Sequence, residues 1–296
     1  MKSIVSYPER GNGGKASYRG NCSPKLIEDL ISFYHPHYLL DPMCGSGTSN
    51  DVCERMGIKC DALDLNPEWG GWDAMTDEIP GVYDMVFFHP PYANIIQYSG
   101  KQWGNLPDMR DLSTIPLSQY DKFLDKLNHV TLRLYQSLRI GGKLAILIGD
   151  VKKNGQLYSI QKDMAWIGTP EQMIIKTQHN CWSDKNDYGN AKFIPIVHEY
   201  CIVLKKDHAY IVPAIVVSFK KYDWRKSNKL SWRQAVRYAL ENLGGKASLK
   251  DLYNELSQFV KTKNHKTPDA KIRETIQHYP EFKSECRGVW ELVPAA

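Results

Sequence analysis

Twice this chain runs a short apolar strand into a rigid turn, and the two turns come in a fixed order. His37-Tyr38-Leu39-Leu40 leads into Asp41-Pro42-Met43-Cys44-Gly45-Ser46-Gly47-Thr48, and about 40 residues later 82–88 leads into His89-Pro90-Pro91-Tyr92. The glycine loop opens a helix expected over 48–56, which Gly57 terminates. Gly45 and Gly47 permit positive φ and the close approach of a ligand, and the helix N-terminus offers free N–H groups. A nucleoside triphosphate is disfavoured, because Thr48-Ser49 stands where a P-loop would carry its lysine. A second strand, expected over 58–65, brings Asp64 to about 20 residues past the loop. A carboxylate there can accept both ribose hydroxyls of an adenosine-containing cofactor.

Strands and helices alternate up to about residue 150. The strand over 82–88 delivers the second turn, and 117–138 reads as a long amphipathic helix with Phe123, Leu127, Val130, Leu134 and Leu138 on one face. Gly141-Gly142 is expected to stop that helix before a strand over 143–148. Two more strands are expected over 172–176 and 197–205. Such alternation predicts an α/β fold, a mostly parallel sheet with helices on both faces and ligands at the carboxyl ends of its strands.

The glycine loop followed by x-Pro-Pro-Tyr resembles the class I S-adenosylmethionine-dependent methyltransferases, and within them the DNA amino-methyltransferases that act on adenine N6 or cytosine N4. Arg19-Gly20-Asn21-Cys22-Ser23-Pro24, opening a helix to about Tyr34, is similar to that family's N-terminal cofactor motif; Ser23 reads as an N-cap and Pro24 as the first helical residue. The likeness spans roughly residues 17 to 206 and is specific as a set, because three motifs fall in a permitted order. It implies a Rossmann-like methyltransferase sheet with an antiparallel last strand, matched by 197–205. It also implies S-adenosylmethionine held by Arg19, Asn21, Ser23, Pro24, Asp41, Pro42, Cys44, Gly45, Ser46, Gly47, Thr48 and Asp64. Asp73, followed by Ala74 as a further cofactor contact, resembles the residue that reads the cofactor's adenine amino group.

The catalytic residues implied are His89, Pro90, Pro91 and Tyr92. In the family the first of these positions is normally Asp, Asn or Ser, which accepts a hydrogen bond from the target amino group together with the carbonyl of the next residue, here Pro90. A neutral imidazole can accept such a bond and an imidazolium cannot, so activity is expected to fall as pH drops through the titration of His89. The two prolines restrict the backbone that carries the acceptor carbonyl. Tyr92 offers a face to a base swung out of the duplex, where its amino group becomes reachable. No covalent nucleophile is required, so Cys22, Cys44 and Cys53 are not candidates for one.

The chain has 296 residues, 42% hydrophobic and 24% charged, enough for one ordinary domain and a small one. No signal peptide and no long apolar run are seen, so a cytoplasmic protein with no membrane partner is expected; the family resemblance implies a bacterial, archaeal or phage origin. Seven scattered cysteines without a Cys-x-x-Cys pair argue against a disulfide framework and a zinc site. His35 and His37 read as a surface turn, so no metal is expected.

The polar connections over 93–116 and 177–194 carry Tyr98, Trp103, Trp182, Lys185 and Lys192. Of these Tyr98, Trp103 and Lys185 are expected to face the duplex, the alternative being that the aromatics cover a sheet edge. Charge is concentrated at the C-terminus: 16 Lys+Arg against 9 Asp+Glu from Ser218 onward, 22 against 24 before it. The boundaries expected are therefore 1–217 for the methyltransferase domain and 218–296 for a small basic domain. The latter shows a capping box at Ser231-Trp232-Arg233-Gln234, a second helix capped by Ser248 and running to about Phe259, a third opening at Thr267-Pro268, and a ribbon turning near Arg287-Gly288. This order resembles a winged helix-turn-helix, which implies double-stranded DNA as partner, with Lys271, Arg273, Gln277 and His278 on the third helix and Arg287 on the wing as contacts.

The reading favoured is an adenine-N6 DNA methyltransferase, with cytosine N4 as the alternative. A transfer-RNA guanine-N2 enzyme shares both motifs but normally carries an N-terminal RNA-binding domain, whereas about 17 residues precede the first motif here. An inert methyltransferase fold serving as a DNA-binding regulator is the third class. The recognition sequence, the oligomeric state and a partner restriction enzyme are left open.

Overall fold

Leu39 and Leu40 are neighbours in one strand, face opposite ways and are both fully buried. That requires a sheet covered on both sides. The structure, a computed structural model, describes residues 1–179, 194–209, 211–216, 223–226 and 230–293. The chain divides into two units, Met1–Ser218 and Phe219–Ala296.

In the first unit the order is β1 (Ile4–Val5), α1 (Pro24–Tyr34), β2 (Tyr38–Asp41), α2 (Thr48–Met56), β3 (Lys59–Ala62), β4 (Tyr83–Phe88), α3 (Tyr120–Gln136) and β5 (Leu138–Ile148). Then come the hairpin β6 (Val151–Lys153) and β7 (Gln156–Tyr158), α4 (Ile160–Asp163), β8 (Trp166–Ile167), β9 (Thr169–Thr177), β10 (His198–Lys205) and β11 (Ala214–Ile215). Seven strands form one mixed sheet in the order β1-β9-β10-β5-β4-β2-β3, in which β10 alone runs against its neighbours. Leu26, Ile27 and Leu30 of α1 and Val52 of α2 cover the face that shows Leu39, Met85 and Phe87. Phe123, Leu127, Val130 and Leu134 of α3 cover the face that shows Leu40, Val86 and Phe88. Each such side chain contributes about 1.5–3 kcal/mol on burial.

Local signals explain the helix bounds around the glycine loop. Gly47, at φ 79°, precedes α2, and Gly57, at φ 71°, ends it with its N–H on the carbonyls of Cys53 and Glu54. Two expectations for this unit need correction. Gly141-Gly142 does not stop α3; the helix ends at Gln136 and β5 starts at Leu138, opposite Tyr83. The glycines instead lie in a strand irregularity, where Gly141 takes φ 85° and a Cβ on Gly142 would sit 2.9 Å from the Arg139 carbonyl. The strand expected over 58–65 is also shorter, because after Ala62 the chain bends to wrap the glycine loop.

The chain leaves β2 through α2 to β3 on one side of the sheet and returns to β4 on the other. The carboxyl ends of β2 and β4 therefore flank the point where the connections diverge, which is where open α/β sheets bind ligands. The glycine loop follows β2 and His89 follows β4.

In the second unit helix Trp232–Asn242 starts with both bonds of a Ser231–Gln234 capping box, and Ser248 caps helix Leu249–Leu256. A single turn, Val260–Lys263, and helix Pro268–His278 follow. The second helix thus stops short of Phe259, which instead precedes the single turn. The terminal ribbon is part of a three-stranded sheet, since β12 (Lys246–Ser248) pairs with β14 (Val289–Leu292), itself paired with β13 (Phe282–Cys286). Val236, Leu240, Leu252, Leu256, Ile272 and Ile276 build a core within this unit alone.

Candidate active site

Two carboxylates fold the glycine loop from beneath. Asp41 accepts from the Ser49 hydroxyl and from the Met43 N–H at 3.1 Å; burial is the larger influence and pushes its carboxyl up to about 7. Asp64 accepts from Gly45 N–H at 2.9 Å and Asn66 N–H at 2.8 Å, one on each oxygen, while burial raises its pKa against those bonds. A carboxylate has about four lone-pair positions, so Asp64 keeps capacity for a diol. Asp73 is buried and accepts from Met75 N–H at 2.8 Å, which fixes its orientation before β4.

Above the loop lies a pocket walled by Asp41, Pro42, Cys44, Gly45, Ser46, Thr48, Asp64, Asp73, Ala74, Asn21 and His89. These were expected. Tyr18, Leu65, Trp72, Met75, Leu112 and Val130 also line it and supply flat and apolar wall. Of the first motif, only Asn21 and its neighbours Gly20 and Cys22 reach this pocket. The chain turns at Gly20 (φ 83°), which sends Arg19 to a second, wider cleft. Ser23 holds the N-cap position of α1 without capping, because its hydroxyl donates to the Arg10 carbonyl at 2.9 Å; Pro24 is buried in the first turn behind it. Gly47 is roofed by Trp69, whose ring would lie 2.5 Å from a Cβ there, so it shapes the loop from outside the pocket.

The second cleft is lined by Arg19, Gly20, Asn21, His89, Pro90, Tyr92, Tyr98, Gly149, Lys176 and Glu199 among others. Gly20, Asn21, His89 and Tyr98 belong to both spaces, so the imidazole stands at their boundary. Tyr98 stacks on Tyr18 with ring centroids 5.9 Å apart. Its loop is pinned by Asp111, which accepts from the N–H and hydroxyl of both Ser99 and Ser113. Trp103 lines the first pocket. Lys185, with Trp182 and Lys192, lies outside the described residues.

The His-Pro-Pro-Tyr turn is held by side chains the sequence reading did not single out. Ala93, just beyond it, takes φ 48°, a left-handed conformation that costs an L-residue roughly 1–2 kcal/mol. The Tyr92 ring packs so closely on Gly149 that a Cβ there would lie 2.7 Å away. Its hydroxyl donates to Glu199 Oε1 at 2.7 Å and lies 3.1 Å from His89 Nε2; Lys176 Nζ donates to Glu199 Oε2 at 2.7 Å. Burial raises Glu199, but Lys176, His89 and the Tyr92 bond outweigh it and leave the carboxyl below its ordinary range. Burial, with Lys176, lowers His89 against the pull of Glu199, so the ring is neutral at neutral pH. A signal existed for both strangers. Glu199 shares the phase of buried Cys201 and Val203, and Lys176 that of Ile174, so each puts a charge where its strand is apolar.

In the second unit Arg273, Gln277 and His278 are exposed on helix Pro268–His278, and Lys271 pairs with Glu274 at 2.6 Å on the same helix. Arg287 is exposed between β13 and β14. Among the described residues no cluster of three or more metal-ligating side chains occurs, and no helix is long and apolar enough to cross a membrane.

No family model and no curated relative matches this chain. Solved structures do. TehB from Haemophilus influenzae aligns at 12% identity and TM-score 0.36, covering 62% of each chain. TTHA0409 from Thermus thermophilus, a candidate DNA modification methylase, aligns at 19% identity and TM-score 0.30, over 58% of this chain and 61% of that one. The N-methyltransferase NodS from Bradyrhizobium japonicum, in complex with S-adenosyl-L-homocysteine, aligns at 11% identity and TM-score 0.36, over 62% of this chain and 86% of its own. This chain thus spans about three-fifths of the first two. Likenesses this low carry no argument about activity.

Proposed function

We propose that this chain is an S-adenosylmethionine-dependent methyltransferase acting on the exocyclic amino group of a base extruded from double-stranded DNA, adenine N6 first and cytosine N4 second. The observation that carries the proposal is the position of His89, at the boundary between a pocket floored by the glycine loop and a wider cleft beside it.

The pocket residues fit the cofactor. A Cβ on Gly45 would stand 3.1 Å from the Tyr18 ring, so only a glycine leaves room for a ligand to slide between loop and ring. Asp64 would hold the ribose hydroxyls, Asp73 the adenine amino group between Leu65 and Met75, and Asn21 the methionine end. When bound, the cofactor supplies a methyl group on an electrophilic sulfonium. The chain's own residues do the rest. Two acceptors, the His89 imidazole and the Pro90 carbonyl, take the hydrogen bonds of the substrate amino group and draw its lone pair out of the ring. Pro90 and Pro91 keep that carbonyl in place. The neutral imidazole can then receive the proton that the methylated nitrogen sheds. Fixing the reactants in line is worth roughly 7–11 kcal/mol, more than any single group here supplies.

DNA as the substrate draws support from the charge of the second unit and from the exposed Arg273, Gln277 and Arg287, arranged on a helix and ribbon like those of a winged helix-turn-helix. The test is incubation with methyl-labelled cofactor and either duplex DNA or transfer RNA, followed by nucleoside mass spectrometry. N6-methyladenine or N4-methylcytosine in DNA is expected. Label in RNA alone, or in neither, would overturn the reading.

A further inference from the structure

Lys176 and Glu199 stand directly opposite each other on β9 and β10, and their side chains are only 9% and 8% exposed. A buried ion pair there is not needed to hold the sheet, since well-packed apolar residues of like volume usually serve as well or better. Its geometry gives it another use. Lys176 occupies one oxygen of Glu199, and the other accepts from the Tyr92 hydroxyl. A phenol has one proton, and burial beside Glu199 keeps it on the oxygen. Having given that proton to Glu199, the Tyr92 oxygen can meet His89 Nε2 at 3.1 Å only as an acceptor. The ring proton must therefore sit on Nε2, and Nδ1 carries the free lone pair. Among the described residues no protein atom bonds Nδ1.

We propose that Glu199, held by Lys176 and acting through Tyr92, is a positioning residue that locks His89 in the tautomer whose Nδ1 accepts the substrate amino proton. The role of Nδ1 rests on the methyltransferase reading; the tautomer does not. Tyr98, Cys22 and Arg19 are among the other titratable groups of the adjoining walls, with Asp64 and Asp111 on the pocket side and Asp150, Lys152 and His198 on the cleft side; burial raises Tyr98 and Cys22, which stay neutral. Glu199 also lies 3.9 Å from Nε2, so it steadies the imidazolium that forms when the ring takes up a proton. The order of the relay explains why the acceptor can be a histidine at all. An unlocked imidazole would divide itself between two tautomers, one of which turns a donor toward the substrate.

The test reads the tautomer directly. Ring-15N-labelled protein is examined by long-range proton–nitrogen correlation at neutral pH without substrate, and His89 is assigned among the nine histidines by the signal lost in His89→Asn. The expected wild-type ring is neutral with its proton on Nε2. In Tyr92→Phe, which keeps the ring and the ion pair, and in Glu199→Gln the signal is expected to move toward the other tautomer. In both, kcat for methyl transfer should fall roughly 10- to 100-fold, the kinetic equivalent of one hydrogen bond to a charged group, with cofactor affinity unchanged. A wild-type ring protonated on Nδ1, or a tautomer that neither variant moves, would overturn the lock. If the spectra behave as expected while no nucleic acid is methylated, the lock stands and the proposed reaction falls.

Discussion

The two sides of the crevice are built on different principles. On the glycine-loop side, carboxylates accept mainly from backbone: Asp64 from Gly45 and Asn66, Asp73 from Met75, Asp41 from Met43 and from Ser49 eight residues on. On the side of the His-Pro-Pro-Tyr turn, side chains clasp side chains drawn from three places in the chain, with Glu199 lying 107 positions after Tyr92. The first arrangement makes a rigid cradle whose shape tolerates a change of side chain where backbone does the binding. The second sets the state of one functional group. The cradle should therefore respond to substitution in affinity, the clasp in rate and in stability.

The largest effect falls on the clasp. His89→Ala removes an amino-group acceptor and the proton's first stop, and kcat is expected to drop by roughly 10²- to 10⁴-fold while calorimetry shows cofactor affinity unchanged. A loss of cofactor binding instead would merge the two sides into one. Next come matched truncations compared by thermal melting. Lys176→Ala leaves Glu199 charged and unpaired inside the protein and should cost about 3–5 kcal/mol. Ser49→Ala on the cradle removes a single hydrogen bond to Asp41 and should cost only about 1–3 kcal/mol. The pH dependence of that smaller loss carries a sign. Asp41 is raised by burial from 3.8 to about 7, so the folded chain holds a proton there that the unfolded one releases; stability drawn from it is full below the lower value and fades as pH climbs to the upper. Hence Ser49→Ala should hurt more at about pH 8, where the carboxyl is charged, than at about pH 5. Equal losses at both would place the carboxyl outside this account.

The same contrast explains what the sequence made legible. The glycine loop and the helix behind it lie within one β2–α2–β3 segment and Asp64 two residues past its end, so spacing alone located them, and the sheet followed from alternating strands and helices. Gly141-Gly142 was misread because glycines after a helical stretch match a helix stop, whereas their partner in β4 decides that they form a strand irregularity. Ser23 has the residue type and place of a cap, but Arg10, thirteen residues earlier, takes its hydroxyl. Lys176 and Glu199 left a trace in the sequence but not its meaning, for the same reason. Their meaning arises only when β9 and β10 pair, and in isolation each is one charge in an apolar strand.

A gentler probe of the clasp is pH itself. Burial, with Lys176, sets the His89 pKa below its ordinary 6.5, so the transfer rate should stay level through neutrality and decline only on the acid side, as the ring gains a proton and ceases to accept. In Glu199→Gln the negative charge that holds this pKa up is gone, and the decline should move to still lower pH. A decline beginning above neutrality in the wild type would contradict the neutral, accepting ring.

The smallest effect is expected in the second unit, where neither principle applies. Arg273 has no ion-pair partner among the described residues, unlike Lys271 on the same helix. If it meets a phosphate, Arg273→Ala should reduce the slope of log affinity against log salt by about one and weaken binding to every duplex alike. If it reads a base edge, the loss should instead be about 1–3 kcal/mol at one position of the preferred sequence. Transfer to a short duplex at saturating concentration should be unaffected in either case, because Arg273 belongs to the second unit and the residues proposed to set the rate belong to the first. A fall in kcat at saturation would show that the second unit reaches into the chemistry, and the division between binding charge and catalytic clasp would have to be redrawn.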